Sequence, residues 1–209
     1  KDKIKDNNIE CFNQWLGKLP HKHKIVIAGN HEIYLTKMRY KKIQKRFSNA
    51  IYLQDNSVQL YGLNIYGTPW HTPTSNNLGF AMKDKKIYKK WNKIPNNTDI
   101  LITHLPPYGI FDLAWKKHYN NTDYCKICNR KHLKYNHWGN INLKQQILTR
   151  IKPRIHLFGH VHDQIGYKHD KQNNILFVNS AMDIYKTIHT INIKFGNNMD
   201  DSKNDDIKS

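Results

Sequence analysis

Three short segments of this chain combine residue types that bind divalent metals. Gly29-Asn30-His31-Glu32 sets an amide oxygen, an imidazole and a carboxylate in a row; Thr103-His104 adds a second imidazole; Gly159-His160-Val161-His162 adds two more. Neutral imidazole nitrogens and amide oxygens suit zinc, manganese or iron ions. Two such ions about 3.5–4 Å apart can clamp the attacking and leaving oxygens of a phosphoryl group. Each segment alone is a weak signal. A single His after a strand is more often a hydrogen-bonded loop residue than a ligand, and GNHE or His-x-His is short enough to arise by chance. Their joint occurrence, each directly after an apolar run, is much harder to dismiss.

Those apolar runs predict the elements that must position the polar loops. Lys24-Ile-Val-Ile-Ala28, Asp99-Ile-Leu-Ile-Thr103 and Ile155-His-Leu-Phe158 read as buried strands. Sites in open α/β sheets form outside the carboxyl ends of strands, so the three loops are expected at one edge. Ser57–Tyr61 and Asn64–Gly67 read as a hairpin turning at Gly62, with further strands at Ile175–Val178 and Ile188–Ile193. Helices are expected over Asn8–Leu16, Thr36–Ser48, Leu78–Trp91 and Leu143–Ile151, the last with Asn142 as N-cap. This alternation predicts an α/β fold of mixed β-sheets packed as a sandwich and flanked by helices. No Pro/Gly/Ser-rich linker divides residues 1–196, which read as one domain; the polar tail 197–209 reads as disordered.

The combined motifs resemble the calcineurin-like metallophosphoesterases, and within them the UPF0046-type, metallophosphoesterase-domain-containing branch. The resemblance runs from Phe12-Asn-Gln-Trp-Leu-Gly17 and Lys24-Ile-Val-Ile-Ala-Gly-Asn-His-Glu32 through Gly67-Thr-Pro-Trp70 and Thr103-His-Leu-Pro-Pro-Tyr-Gly109. It continues to Phe158-Gly-His-Val-His-Asp163 and Asn179-Ser-Ala181. It implies that Asn30, His104 and His160 ligate one metal and His162 the other. His31 would stabilise the transition state or protonate the leaving oxygen. A hydroxide bridging two divalent ions (Mn, Fe or Zn) would then attack a phosphoester, and a diester such as a cyclic nucleotide is the substrate the resemblance favours. Trp70, His71 and Tyr108 stand in loops that would shape the substrate pocket. The family also carries an Asp-x-His and a Gly-Asp motif upstream of GNHE. Neither is present here, and Asp2 and Asp6 follow no apolar strand. The N-terminal strand or strands of the fold are therefore expected to be missing, and with them the carboxylate that bridges both metals.

Residues 115–138 read as a basic, aromatic insertion, peripheral to the core. Cys125-Lys-Ile-Cys128 with His132 and His137 makes a zinc clip conceivable. Only three residues separate the Cys and His pairs, where a finger has about a dozen, so thiols in a solvated loop are the favoured expectation. The net charge of +18 favours anionic partners, and Lys116, Lys117, Tyr119, Arg130, Lys131, Lys134 and Tyr135 could bind nucleic acid by charge and stacking. Lysine is dispersed along the whole chain, so charge supports a small phosphoester substrate, nucleotides included, and does not single out nucleic acid. Three cysteines in 209 residues make no disulfide framework, which points to a reducing compartment and a cytoplasmic location. No apolar run nears the roughly 20 residues needed to span a bilayer.

Overall fold

The computed structural model describes residues 2–73, 79–115, 124–125, 128–132, 134–182 and 192–193, with side chains from residue 8 onward. Its strands are β1 (Ile25–Val26), β2 (Ile51–Tyr52), β3 (Asn56–Leu60), β4 (Leu63–Thr68), β5 (Ile100–Thr103), β6 (Leu113–Trp115), β7 (Tyr135–His137), β8 (Ile155–Phe158), β9 (Gly166–Asp170) and β10 (Ile175–Asn179). Its helices are α1 (Asp2–Lys18), α2 (Tyr40–Arg46), α3 (Asp84–Trp91) and α4 (Ile141–Gln146). A six-stranded mixed sheet, in the order β3-β4-β5-β8-β10-β9, dominates the molecule. Strands β4, β5, β8 and β10 run parallel, and the antiparallel β3 and β9 close the two edges.

The parallel pair β1–β2 forms a second small layer against this sheet. At Gly67 of β4 an added Cβ would lie 2.4 Å from Leu53 Cβ and 2.8 Å from Ile27 Cγ2. Only a glycine lets the two layers approach so closely there. One apolar cluster joins α3, α4 and the parallel strands through Ile87, Trp91, Leu101, Leu143, Ile147 and Phe177. Another gathers Leu16, Leu35, Ile43, Phe47 and Tyr52 around β2 and the first two helices.

Where the fold departs from the pattern in the sequence, a local competitor can be named. The expected strand 24–28 shortens to Ile25–Val26, whose ladder partner is the two-residue β2. The expected helix 36–48 splits into a 3-10 turn, Ile33–Lys37, and α2, with Met38 and Arg39 extended between them. That break lets Leu35 and Ile43 both reach full burial and carries the Tyr40 hydroxyl to the Tyr52 carbonyl at 2.8 Å. The helix expected from Leu78 begins only at Asp84, because the backbone of residues 80–82 is spent on His71. The His71 N–H donates to Phe80 O and the Met82 N–H to His71 O. The N-cap of α4 is Asn140, not Asn142: its Oδ1 accepts from Leu143 N at 2.9 Å. The last turn of that helix widens to a π turn, Ile147–Ile151, and ends at left-handed Lys152 before Pro153. The expected strand 188–193 falls largely outside the described residues, and the tail 197–209 wholly so.

A buried histidine at the sheet centre has a measurable consequence. Thr103 Oγ1 donates to Leu105 O at 2.6 Å, so the 2.8 Å contact with His156 uses the imidazole's own Nε2–H. His156 Nδ1 is then left buried without a partner among the described residues. Burial pushes the His156 pKa down to about 3. The unfolded chain takes up a proton near pH 6.5 that the folded chain refuses, so stability present above that value is lost as pH falls toward 3. Between pH 7 and pH 5 this one group is expected to remove about 2 kcal/mol of stability. Urea unfolding at both pH values should therefore give a flatter pH dependence for His156→Leu than for the parent. Equal slopes would show that His156 titrates alike in both states.

Candidate metal centre

The four parallel strands end at one edge of the sheet, and each delivers a functional segment. Thr68 of β4 leads to Trp70-His71, Thr103 of β5 to His104, Phe158 of β8 to His160, and Asn179 of β10 to Ser180-Ala181. The ladder continues past the strand ends, with His104 N–H donating to Thr68 O and Gly159 N–H to His104 O. The 29–32 loop faces the same edge. An added Cβ on Gly29 would sit 2.6 Å from His104 Cε1 and 2.8 Å from its Nδ1, so glycine is what admits the imidazole. Glu32 does not reach toward the histidines: its Oε2 accepts from the Gly29 N–H at 2.6 Å and closes the loop on itself.

Three of the sequence-expected donors meet closely. His104 Nε2 lies 2.8 Å from Asn30 Oδ1 and 3.3 Å from the Asn30 backbone N. The first contact asks for a proton on Nε2 and the second for a lone pair, and one nitrogen cannot supply both. The His104 and His160 rings are 4.6 Å apart. His160 holds a left-handed backbone, φ 70°, and its Nε2 is buried with no hydrogen-bond partner among the described residues. Burial first, then the neighbouring His160, His71, His31 and His162, depresses the His104 pKa far below the usual imidazole value. Burial, then His71, His162 and His31, pushes His160 down to about 3. Both rings are therefore neutral at neutral pH and offer lone pairs. Among the described residues, no carboxylate acts on either ring. His31 and His162 are exposed, and both act electrostatically on the buried pair.

Trp70, His71 and Tyr108 are placed differently from one another. His71 is fully buried beneath the pair, 5.7 Å from the His104 ring and 5.3 Å from His160. Its ring nitrogens face Thr72 O at 2.8 Å and Gly79 O at 2.7 Å; a ring with one N–H donates to only one of them, but the two carbonyls screen both nitrogens from a ligand. Trp70 directs its Nε1–H to both Asp55 oxygens at 2.9 Å, and Lys90 Nζ covers its face at 3.9 Å. Tyr108 lies against His137 of the Cys/His cluster, 4.4 Å between centroids with the ring planes tilted by 42°.

Two further residues shape the site: Trp138, which no sequence signal singled out, and Asn179, which the resemblance covers in Asn179-Ser-Ala181 without a role. Trp138 lies 5.3 Å from the His160 ring. Asn179, 1% exposed, donates from Nδ2 to Val161 O at 2.8 Å and Gln164 O at 2.7 Å, which pins the His160–His162 loop. The insertion is also tied in at its ends. Leu113 N–H donates to Gln164 Oε1 and Trp115 N–H to Asp163 Oδ2, so β6 is bonded to the loop that follows His162. Lys116, Lys117 and Tyr119 lie outside the described residues. Among the described residues, no helix is long and apolar enough to cross a membrane.

Comparison with known proteins agrees with this architecture. The chain is 37% identical over 186 residues to a UPF0046 protein of Caenorhabditis elegans, covering 82% of this chain and 60% of that protein. It is 33% identical over 199 residues to metallophosphoesterase domain-containing protein 1 of Homo sapiens, covering 84% of this chain and 55% of that one. The chain thus spans somewhat over half the length of these curated relatives. A solved crystal structure superposes with a TM-score of 0.52 at 16% identity, over 86% of this chain and 65% of that chain, a likeness of fold alone. Residues 4–164 match the calcineurin-like phosphoesterase family, and the chain belongs to that family.

Proposed function

We propose that this chain carries metal-holding residues of a phosphoester hydrolase, with diesters such as cyclic nucleotides as the favoured substrate class. The observation that carries the proposal is the convergence of Asn30 Oδ1, His104 Nε2 and the buried, partnerless His160 Nε2 at the strand ends. The conflict over the His104 proton disappears if a cation takes both lone pairs, so the donor set fits a divalent metal. Asn30, His104 and His160 would hold one ion, and His162 would contribute to a second. When bound, the ions supply charge to neutralise phosphoryl oxygens and a nucleophile at neutral pH.

The remaining work belongs to the chain's own residues. His31, exposed beside the pair, is free to give a proton to the leaving oxygen or to stabilise developing charge. Burial keeps His104 and His160 unprotonated, and Asn179 holds the loop from which His160 and His162 project. His71 wedges the two rings from below. Three neutral donors leave a divalent charge unbalanced, so this chain by itself is expected to bind one manganese ion weakly and to turn over slowly.

Manganese titration of the chain, beside hydrolysis of a chromogenic phosphodiester, tests the reading. His104→Ala should abolish binding. His31→Ala should keep the metal and lower turnover by roughly 10²–10⁴-fold, the usual range for a lost acid–base group. Metal retained in His104→Ala would sink the site. Metal lost in step with activity in His31→Ala would make that residue a ligand or a support.

A further inference from the structure

The segment between β6 and the end of β7 brings together two thiols and two imidazoles that phosphoester chemistry does not use. Cys125, Cys128, His132 and His137 each offer one donor atom, and the four atoms lie within 4.8 Å of one another. Cys128 Sγ is 2.8 Å from His132 Nε2 and 3.4 Å from His137 Nε2, and the two imidazole nitrogens are 3.0 Å apart. Sulfur is larger than oxygen, so a sulfur–nitrogen hydrogen bond should be longer than the N–H···O value of about 2.9–3.0 Å. The 2.8 Å contact is shorter. Zn–S bonds near 2.3 Å and Zn–N bonds near 2.0–2.1 Å in a tetrahedron set ligand–ligand edges of about 3.3–3.8 Å. Of the three edges, 3.4 Å falls within that range, while 3.0 and 2.8 Å are tighter and would open slightly around an ion.

The protonation pattern points the same way. His137 Nδ1 faces both oxygens of Asp112, at 2.9 and 3.0 Å, and Asp112 is only 1% exposed. The carboxylate accepts, so Nδ1 carries the proton and Nε2 turns its lone pair toward His132 and Cys128. A carboxylate behind a ligating imidazole is the usual outer partner that fixes tautomer and ring orientation in zinc sites. Asp112 is itself held by the Gly139 N–H at 3.3 Å.

We propose that Cys125, Cys128, His132 and His137 form a structural zinc site, closed to substrate, that latches the excursion between Asp112 and Asn140 onto the body of the protein. Four protein donors fill a tetrahedron and leave no open position, which is the signature of a structural ion and not a catalytic one. The excursion needs such a latch. Trp115 and Tyr135 at the mouth of the β6–β7 ribbon are exposed, and neither apolar core cluster includes a residue of the ribbon. A two-stranded ribbon without an apolar face is marginal alone. The residue after His137 is Trp138, whose ring lies against His160. The latch therefore fixes a wall of the strand-end cluster, and it stands whether or not that cluster hydrolyses anything.

The test uses the whole chain and zinc or cobalt(II) alone. The expected result is one zinc per chain that survives dialysis against a mild chelator. Cobalt replacement should give thiolate charge-transfer bands and intense tetrahedral d–d absorption, which the cysteine-free strand-end cluster cannot produce. Cys125→Ser/Cys128→Ser should lose that equivalent, while His104→Ala/His160→Ala keeps it. A cobalt spectrum without thiolate bands overturns the proposal, as does a zinc content equal in the parent and the cysteine variant. Should the cysteine variant fail to fold, the cobalt spectrum of the parent decides alone.

Discussion

Replacing His160 by asparagine is expected to leave the metal-free chain as stable as the parent, or more so, while manganese affinity falls on the order of 100-fold, about 2.7 kcal/mol. Two features of His160 set up this divergence. Its backbone is left-handed at φ 70°, a conformation that costs a non-glycine residue roughly 1–2 kcal/mol and that asparagine tolerates better. Its Nε2 is buried and unpaired, which destabilises the folded chain unless a ligand takes the lone pair. The left-handed backbone alone does not separate the two roles, since Phe80 at φ 54° is buried in an apolar cluster; the unpaired Nε2 does. Thermal unfolding in chelator, set beside manganese titration, measures both halves. Unchanged affinity would remove His160 from the metal site, and a large loss of metal-free stability would make it a packing residue.

The second large effect is expected in the scaffold. Trp91→Ala should cost about 3–5 kcal/mol, the range for truncating a buried aromatic. Trp91 is fully buried in the cluster that joins α3 to α4. It also organises the polar seam beside the site. Its Nε1–H donates to Asn140 Oδ1 at 3.1 Å, and its carbonyl accepts from Arg150 at 2.9 Å. Asn140 in turn caps α4 and grips the loop after His104: its N–H donates to Pro106 O, and its carbonyl accepts from Tyr108 N–H. Trp91→Phe keeps most of the ring and removes the indole donor, so it should cost only about 1–2 kcal/mol. Urea unfolding of both variants checks the pair. A cost below about 1 kcal/mol for Trp91→Ala would mean that α3 docks by other contacts.

The parallel strands β5, β8 and β10 were legible because burial on both faces writes an unbroken apolar run, and the site residues were legible because each stands directly after such a run. Strands β6, β7 and β9 were not, since Tyr135-Asn-His137 and Gly166–Asp170 are edge or ribbon segments with polar residues on both faces. β6 is held by residues distant in sequence, Asp163 and Gln164, whereas β9 pairs with β10 across the short turn 171–174, a hairpin whose polar first strand gave no apolar period to read. The break at Met38-Arg39 and the late start of α3 are tertiary in the same sense, since the backbone of residues 80–82 bonds to His71 instead of continuing a helix.

The sequence by itself determined the donor types, their order along the chain and the strand ends that carry them, because residue identity and hydrophobic period are local properties. Tertiary structure alone decided which donors meet. It put His71 beneath the histidine pair with both nitrogens screened by carbonyls, and Tyr108 on the Cys/His cluster and not at the strand ends. It also folded Cys125, Cys128, His132 and His137 to within 4.8 Å of one another despite a spacing that argued against it. Spacing rules describe ligands carried on one regular motif. Here the buried carboxylate of Asp112, 25 residues before His137, orients the imidazole, and no local pattern records that contact.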